Sequence, residues 1–368
     1  MKKLSFLAAA VCLFLTGCGG FQPITAEDSP AAARQQTVLV PEISDKRRTT
    51  DVSFYGMMLD GMQHCELSVT YPDVIAEDEV RSTFIKLCAD HPEIFWISSI
   101  RSETTDSETT VYFTFLDGYT PEELRLMYAQ TVQASEEIAA LVRDSDDDYD
   151  IALTVHDFLI NNTAPVNGSS TFDISATAYG CLVKHSATGR GYAQAFLLMM
   201  HKMGIEAGMC EGFADKLVHT WNYVRLNDEY YWLDAAWDDP RSTDTPIIRH
   251  AYCFMPDSLF LTNRTLAESN YAVQKCEGTA CNYFVKNNLY FTEYQFAELK
   301  PIIAEQVKNG YAEIMFADAQ SAEAAVQDLV TEKHIWKIPG VDNKTMNVSY
   351  MLTADTHALY LSFSPKTE

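Results

Sequence analysis

Basic residues are scarce in this chain: 27 Lys and Arg stand against 51 Asp and Glu, for a formal net charge of −24. That balance argues against nucleic-acid binding, which needs Lys and Arg to neutralise phosphate. It also disfavours a face lying flat on anionic lipid; an acidic surface that resists aggregation is reason enough for it. Long apolar runs are missing too. Leu4–Leu15 is the longest, about a dozen residues, well under the roughly 20 a spanning helix needs. The nine cysteines are scattered, with no CxxC and no Cys/His cluster of the kind that holds structural zinc. The sequence thus points to no metal and no cofactor.

What is present begins at the N-terminus. Lys2 and Lys3 precede the Leu4–Leu15 run, the charged start and apolar centre of an export signal. Leu15-Thr16-Gly17-Cys18 follows and resembles a bacterial lipobox. The resemblance implies cleavage before Cys18, lipidation of its sulfur, and an acyl anchor firm enough to hold. The expectation is a protein outside the cytoplasm, tied to the cell membrane or envelope through Cys18. Loss of residues 1–17 removes two Lys and no acid, so 25 basic residues face 51 acidic ones, or −26. With Cys12 and Cys18 set aside, Cys65, Cys88, Cys181, Cys210, Cys253, Cys276 and Cys281 remain. An odd, dispersed set is not a disulfide framework, although Cys276 and Cys281 are near enough in sequence to pair or to stay free.

Residues 18–50, rich in Ala, Pro, Gln, Thr and charge, read as a tether. At 47% hydrophobic residues the remainder can bury a sizeable core. Three regions follow: an α/β region at 51–145, a central domain at 146–265, and a second α/β region at 266–368. In the first, Cys65, Leu67 and Val69 alternate as a strand, and Ile75–Ala89 has helical spacing. Phe95–Ile97 and Val111–Phe115 are two more strands. Thr120-Pro121-Glu122-Glu123 is a helix start with N-cap, first-turn proline and capping-box glutamate, and that helix extends to about Val142. Asp144–Asp148 lacks the glycine and distal glutamate of a calcium loop; it reads as a hinge whose acids favour the next helix start. That helix, Tyr149–Asn161, carries Ile151, Val155, Phe158 and Leu159 on one face. In the last region helices are expected at 292–308 and 320–332, and strands at 311–316, 334–338, 345–353 and 358–364. Nothing catalytic stands out there.

The chemistry lies in residues 178–240. Ala187-Thr188-Gly189-Arg190-Gly191-Tyr192-Ala193 delivers the chain to a helix running through Met203 and ending at Gly204-Ile205. A strand near 208–212 follows. Then come His219-Thr220-Trp221-Asn222-Tyr223, a polar turn at Asn227-Asp228-Glu229, and Tyr230–Asp234 leading into Ala235-Ala236-Trp237-Asp238-Asp239-Pro240. Free N–H groups at the start of a buried helix favour an anion, and a thiol placed there has a lowered pKa. A hairpin register can bring His219 and Asp234 to one face, where the carboxylate fixes the imidazole's tautomer. Helix-start nucleophile, strand histidine and next-strand aspartate make the acyl-transfer arrangement of papain-like enzymes.

On these residues the segment resembles bacterial transglutaminase-like domains, over about 150–265. Val155-His156-Asp157-Phe158-Leu159 and Pro92-Glu93-Ile94-Phe95-Trp96 resemble the same group of secreted bacterial proteins. The resemblance implies an α+β fold with a papain-like core, a helix packed on an antiparallel sheet, flanked by small α/β regions. It implies His219 as the base and Asp234 as the orienting acid. The nucleophile's position falls on Gly189, which has no side chain. Cys181, Cys210 and Thr188 are nearby alternatives; both cysteines read more simply as core. Tyr192, Trp221 and Trp237 are candidates to line a groove, otherwise core with Tyr223 and Trp232. His156 reads as a helix-surface residue and Asp238-Asp239-Pro240 as a turn or cap.

Three functions compete. The first is a silent module that binds peptide, protein or cell-envelope polymer, with Gly189 leaving room where a thiol would sit. The second is an active amidase, protease or transglutaminase with a displaced nucleophile. The third is a scaffold lipoprotein with a vestigial site.

Overall fold

The computed structural model describes residues 53–143, 146–167, 173–240, 247–267 and 274–366. The export signal, Cys18, the 18–50 tether and Asp144-Ser145 of the acidic hinge lie outside them. The described residues all fall in one compact unit. No helix among the described residues is long and apolar enough to cross a membrane.

The chain starts with α1 (Phe54–Gln63), β1 (Ser68–Tyr71), α2 (Glu77–Asp90), β2 (Ile97–Thr104), β3 (Thr109–Phe115) and α3 (Pro121–Ala139). Strands order β1-β3-β2, all antiparallel. The expected β-α-β-β-α order is present, with α1 added in front. Cys65 does not extend β1 because its φ is +52°, outside extended backbone. Helix α3 starts as the sequence reads: the Thr120 hydroxyl accepts from Glu123 N, and Glu123 reaches back to Thr120 N at 2.7 Å.

The central region follows with α4 (Asp148–Asn162), β4 (Ala164–Pro165), α5 (Ala178–Leu182), β5 (Ser186–Ala187), α6 (Gly189–Met203), β6 (Ala207–Ala214), β7 (Leu217–Leu226), β8 (Glu229–Leu233), α7 (Ala235–Asp238), β9 (Cys253–Met255), α8 (Asp257–Phe260) and β10 (Arg264–Leu266). Five strands form one antiparallel sheet in the order β10-β6-β7-β8-β9. Both of its hairpin loops are two residues long, Asp215-Lys216 and Asn227-Asp228. All four have positive φ, as a turn matching strand twist requires. Helix α6 lies over this sheet, burying Tyr192, Ala195, Phe196, Met199 and Met200 against Val224, Tyr231 and Leu233. Gly204, at φ +74°, ends it in a left-handed turn open to glycine at no steric cost. The result is an α+β fold with a papain-like arrangement of helix on antiparallel sheet.

The chain closes with α9 (Tyr283–Lys286), β11 (Tyr290–Phe291), α10 (Phe296–Gln306), β12 (Tyr311–Phe316), α11 (Ala319–Val326), β13 (Met346–Leu352) and β14 (Ala358–Pro365). The sheet orders β11-β12-β14-β13, and Val348, Tyr350 and Leu352 face Phe363, Leu361 and Leu359 as their alternation indicates. The strand expected at 334–338 is instead a 3-10 turn, His334–Lys337. Ile335 within it and Ile338 just after it, both buried, are three apart, which suits three residues per turn. Cys276 and Cys281 are buried and free.

Candidate functional site

Gly189 is the first residue of α6, and no side chain caps that helix start. The β6–β7 hairpin brings His219, paired with Gly212 across the sheet, over this point. Asp234 follows β8 directly and caps α7, its Oδ1 accepting from Trp237 N at 3.2 Å. Its Oδ2 meets His219 Nε2 at 2.9 Å. Gly189, His219 and Asp234 therefore converge, with the Nδ1–Cε1 edge of the imidazole turned to the glycine. A β-carbon on Gly189 would fall 2.4 Å from His219 Cε1 and 2.8 Å from Nδ1. The room expected at Gly189 is not there; the imidazole takes it. The ring is held by Asp234 and flanked by Trp221 and Trp237, at centroid distances of 6.1 and 5.6 Å.

Sequence reasoning missed Arg264. Its side chain is 0% exposed and its Nη2 donates to the same Asp234 Oδ2 at 3.1 Å. Trp237, Tyr252 and Phe260 surround the guanidinium at 4.1, 4.5 and 4.1 Å, a cage in which cation–π attraction adds to packing. Burial raises the carboxyl pKa of Asp234, but His219 and Arg264 outweigh it and hold the group below its ordinary value. The carboxylate that would stabilise an imidazolium already has a permanent cation beside it.

Tyr192 and Trp237 line a cleft of about 560 Å³ together with Gly189, His219, Arg190, Glu211, Leu217 and Val218. Trp221, the third groove candidate, does not line the cleft and packs into the core beside Phe260 instead. Cys210 lies under it, paired with Trp221 across the sheet. Cys181 sits on α5 with its sulfur 3.4 Å from Thr163 Oγ1. Burial pushes both thiols up to about 12, far from the lowered value a nucleophile needs. Thr188 is buried at the N-cap position, with its hydroxyl turned to the Ser175 carbonyl at 3.5 Å. At pH 7 the native protein should label slowly with iodoacetamide, half-buried Cys88 first and Cys181 and Cys210 only on unfolding. Peptide mapping of the alkylated protein checks this order, and rapid modification of Cys181 or Cys210 would refute it.

His156 is not on the surface but fully buried, its Nδ1 2.9 Å from Asp157 Oδ1 and its Nε2 3.2 Å from Asp238 Oδ2. Asp238 ends α7 and Asp239 is its C-cap, as the turn-or-cap reading has it, and both carboxylates also bond to distant groups. Asp238 accepts from Tyr252 N at 3.1 Å, and Asp239 accepts the Tyr192 hydroxyl at 2.6 Å. Helix α4 buries Tyr149, Ala152, Val155, His156, Leu159 and Ile160, with Ile151 and Phe158 of the expected face partly buried against the same core. An i, i+3, i+4 count restricted to apolar residues passes over a buried histidine.

Residues 136–235 match the family model described as the transglutaminase-like superfamily, so the chain carries a transglutaminase-like domain. No curated protein matches the chain. Among solved structures, one described as a TGase is 9% identical, with a TM-score of 0.28, over 46% of this chain and 50% of that one. The chain thus spans half the length of that structure. A protein from Cytophaga hutchinsonii, described provisionally as a cysteine protease, is 11% identical over 50% of this chain and 80% of its own, with a TM-score of 0.27.

Proposed function

We propose that this is an extracytoplasmic lipoprotein whose transglutaminase-like domain is catalytically silent and binds peptide or cell-envelope polymer in the cleft above Gly189. The observation that carries the reading is the 2.4 Å approach of His219 Cε1 to the point where a β-carbon on residue 189 would lie. Acyl transfer needs an atom that attacks, and here the general base fills the space that atom would require. The cysteines nearest in sequence are core residues, which weighs against a displaced nucleophile.

The cleft keeps what binding requires. Leu217 and Val218 stand 71% and 80% exposed on its rim, an unusual position for aliphatic side chains not meeting a partner. The uncapped start of α6 supplies N–H groups to a carbonyl or carboxylate, and Trp237 offers an aromatic wall. Tryptophan fluorescence titrated with muropeptide and unstructured-peptide libraries tests this. Leu217→Asp and Val218→Asp should weaken binding at least about tenfold, the cost of roughly 1.4 kcal/mol of lost apolar contact, while leaving unfolding midpoints unchanged. Binding indifferent to both variants would leave the site a remnant on a scaffold. Turnover of amide substrates abolished by Cys181→Ala or Cys210→Ala would favour the displaced-nucleophile enzyme.

A further inference from the structure

We propose that His156, Asp157 and His250 form a binding site for one divalent transition-metal ion of the zinc type, apart from the cleft. These three are grouped closely enough to share an ion. His156 Nδ1 and His250 Nε2 both converge on Asp157 Oδ1, at 2.9 and 3.2 Å. Ligand atoms around a tetrahedral zinc with bonds of about 2.0–2.1 Å lie roughly 3.3 Å apart, so both nitrogen–carboxylate pairs already have nearly the spacing an ion would impose, and all three ligand atoms lie within 4.8 Å of one another.

A second, independent feature is the wiring behind the histidines. The far nitrogen of each ring meets a buried carboxylate: His156 Nε2 meets Asp238 Oδ2 at 3.2 Å, and His250 Nδ1 meets Glu313 Oε1 at 2.9 Å. The Asp238 and Glu313 side chains are 0% and 2% exposed. Outer carboxylates of this kind fix tautomer and ring direction in metal-ligating histidines and raise their basicity. The His250 ring is further fixed by Tyr283, stacked at 3.6 Å and 7°. Two imidazoles and one carboxylate suit zinc and its neighbours rather than magnesium or calcium. On binding, the ring protons directed at Asp157 leave to solvent and the cation takes their place. The Asp157 side chain, 33% exposed, leaves a way in from solvent, which would supply the fourth ligand. The ion would join α4, the segment before β9, and through Glu313 the strand β12, clamping the central domain to the last sheet.

The test uses the whole purified chain, stripped with EDTA and titrated with ZnCl₂ by calorimetry. The expected result is saturable uptake of one Zn²⁺ per chain and a rise in the unfolding temperature that EDTA reverses. His250→Gln and Asp157→Asn should each weaken uptake at least about tenfold. His334→Gln should not, although Asp328, Glu332 and His334 form the other grouping among the described residues. A purely hydrogen-bonded network of the same side chains predicts no saturable uptake, and that outcome overturns the proposal. So does uptake that survives Asp157→Asn, which decides the matter if His250→Gln does not fold.

Discussion

Gly189→Cys should destabilise the protein and should not, by itself, produce a fast-reacting thiol. The new β-carbon meets His219 Cε1 at 2.4 Å, well inside contact distance. The ring cannot simply swing aside, because Asp234 holds its Nε2 at 2.9 Å and Trp221 and Trp237 lie against it. Overpacking of this kind costs about 1–3 kcal/mol, partly offset by the roughly 0.5–1 kcal/mol gained when glycine leaves a helix. A net loss of about 1–2 kcal/mol is expected from urea unfolding. The cause is identified by a double-mutant cycle with His219→Ala: removing the ring should relieve the clash, giving a favourable coupling of about 1 kcal/mol or more. A single variant as stable as the parent, with a thiol that labels rapidly at pH 7, would mean the imidazole is free to make room.

The second large effect is expected at Arg264. Replacing it with Met keeps much of the volume between Trp237, Tyr252 and Phe260 but strips Asp234 of its permanent cation. Both side chains are within 1% of full burial, so solvent cannot take over. Breaking a buried ion pair from one side costs up to about 3–5 kcal/mol; here the surviving carboxylate keeps only the imidazole of His219 beside it. Arg264→Met should therefore lower the urea midpoint severely, and adding Asp234→Asn should recover part of the loss. If Arg264→Met is neutral, the carboxylate is not held as described. The pair also bears on chemistry: Oδ2 of Asp234 divides its hydrogen bonding between His219 and Arg264, which leaves less of it for an imidazolium.

The parts of this site that were legible in the sequence are those joined by short stretches of chain. His219 and Asp234 lie on either side of one hairpin with a two-residue turn, so local pattern and turn chemistry bring them together. Gly189 and the helix it opens were readable from the small-residue approach and the apolar spacing after it. Other contacts depend on tertiary packing between distant elements. His156 reaches Asp238 across 82 residues and His250 reaches Glu313 across 63. A histidine amid a helical pattern, or an acid inside a strand such as Glu313, gives no sign of its partner. Arg264 opens a three-residue edge strand that carried no motif. The room expected at Gly189 failed for a related reason: deleting a side chain from a motif says nothing of which neighbour fills the space. At 334–338 the reason is simpler, since a run as short as His334-Ile335-Trp336-Lys337-Ile338 cannot be assigned to strand or 3-10 turn by period alone.

On the proposed function, an imidazole and its carboxylate persist here without a group to activate. The direct measurement is release of ammonia or amine from glutamine-containing peptides and simple amides, by the parent chain and by His219→Ala side by side. No turnover above the level of the His219→Ala protein is expected for any substrate. Turnover in the parent that disappears with His219→Ala would contradict it.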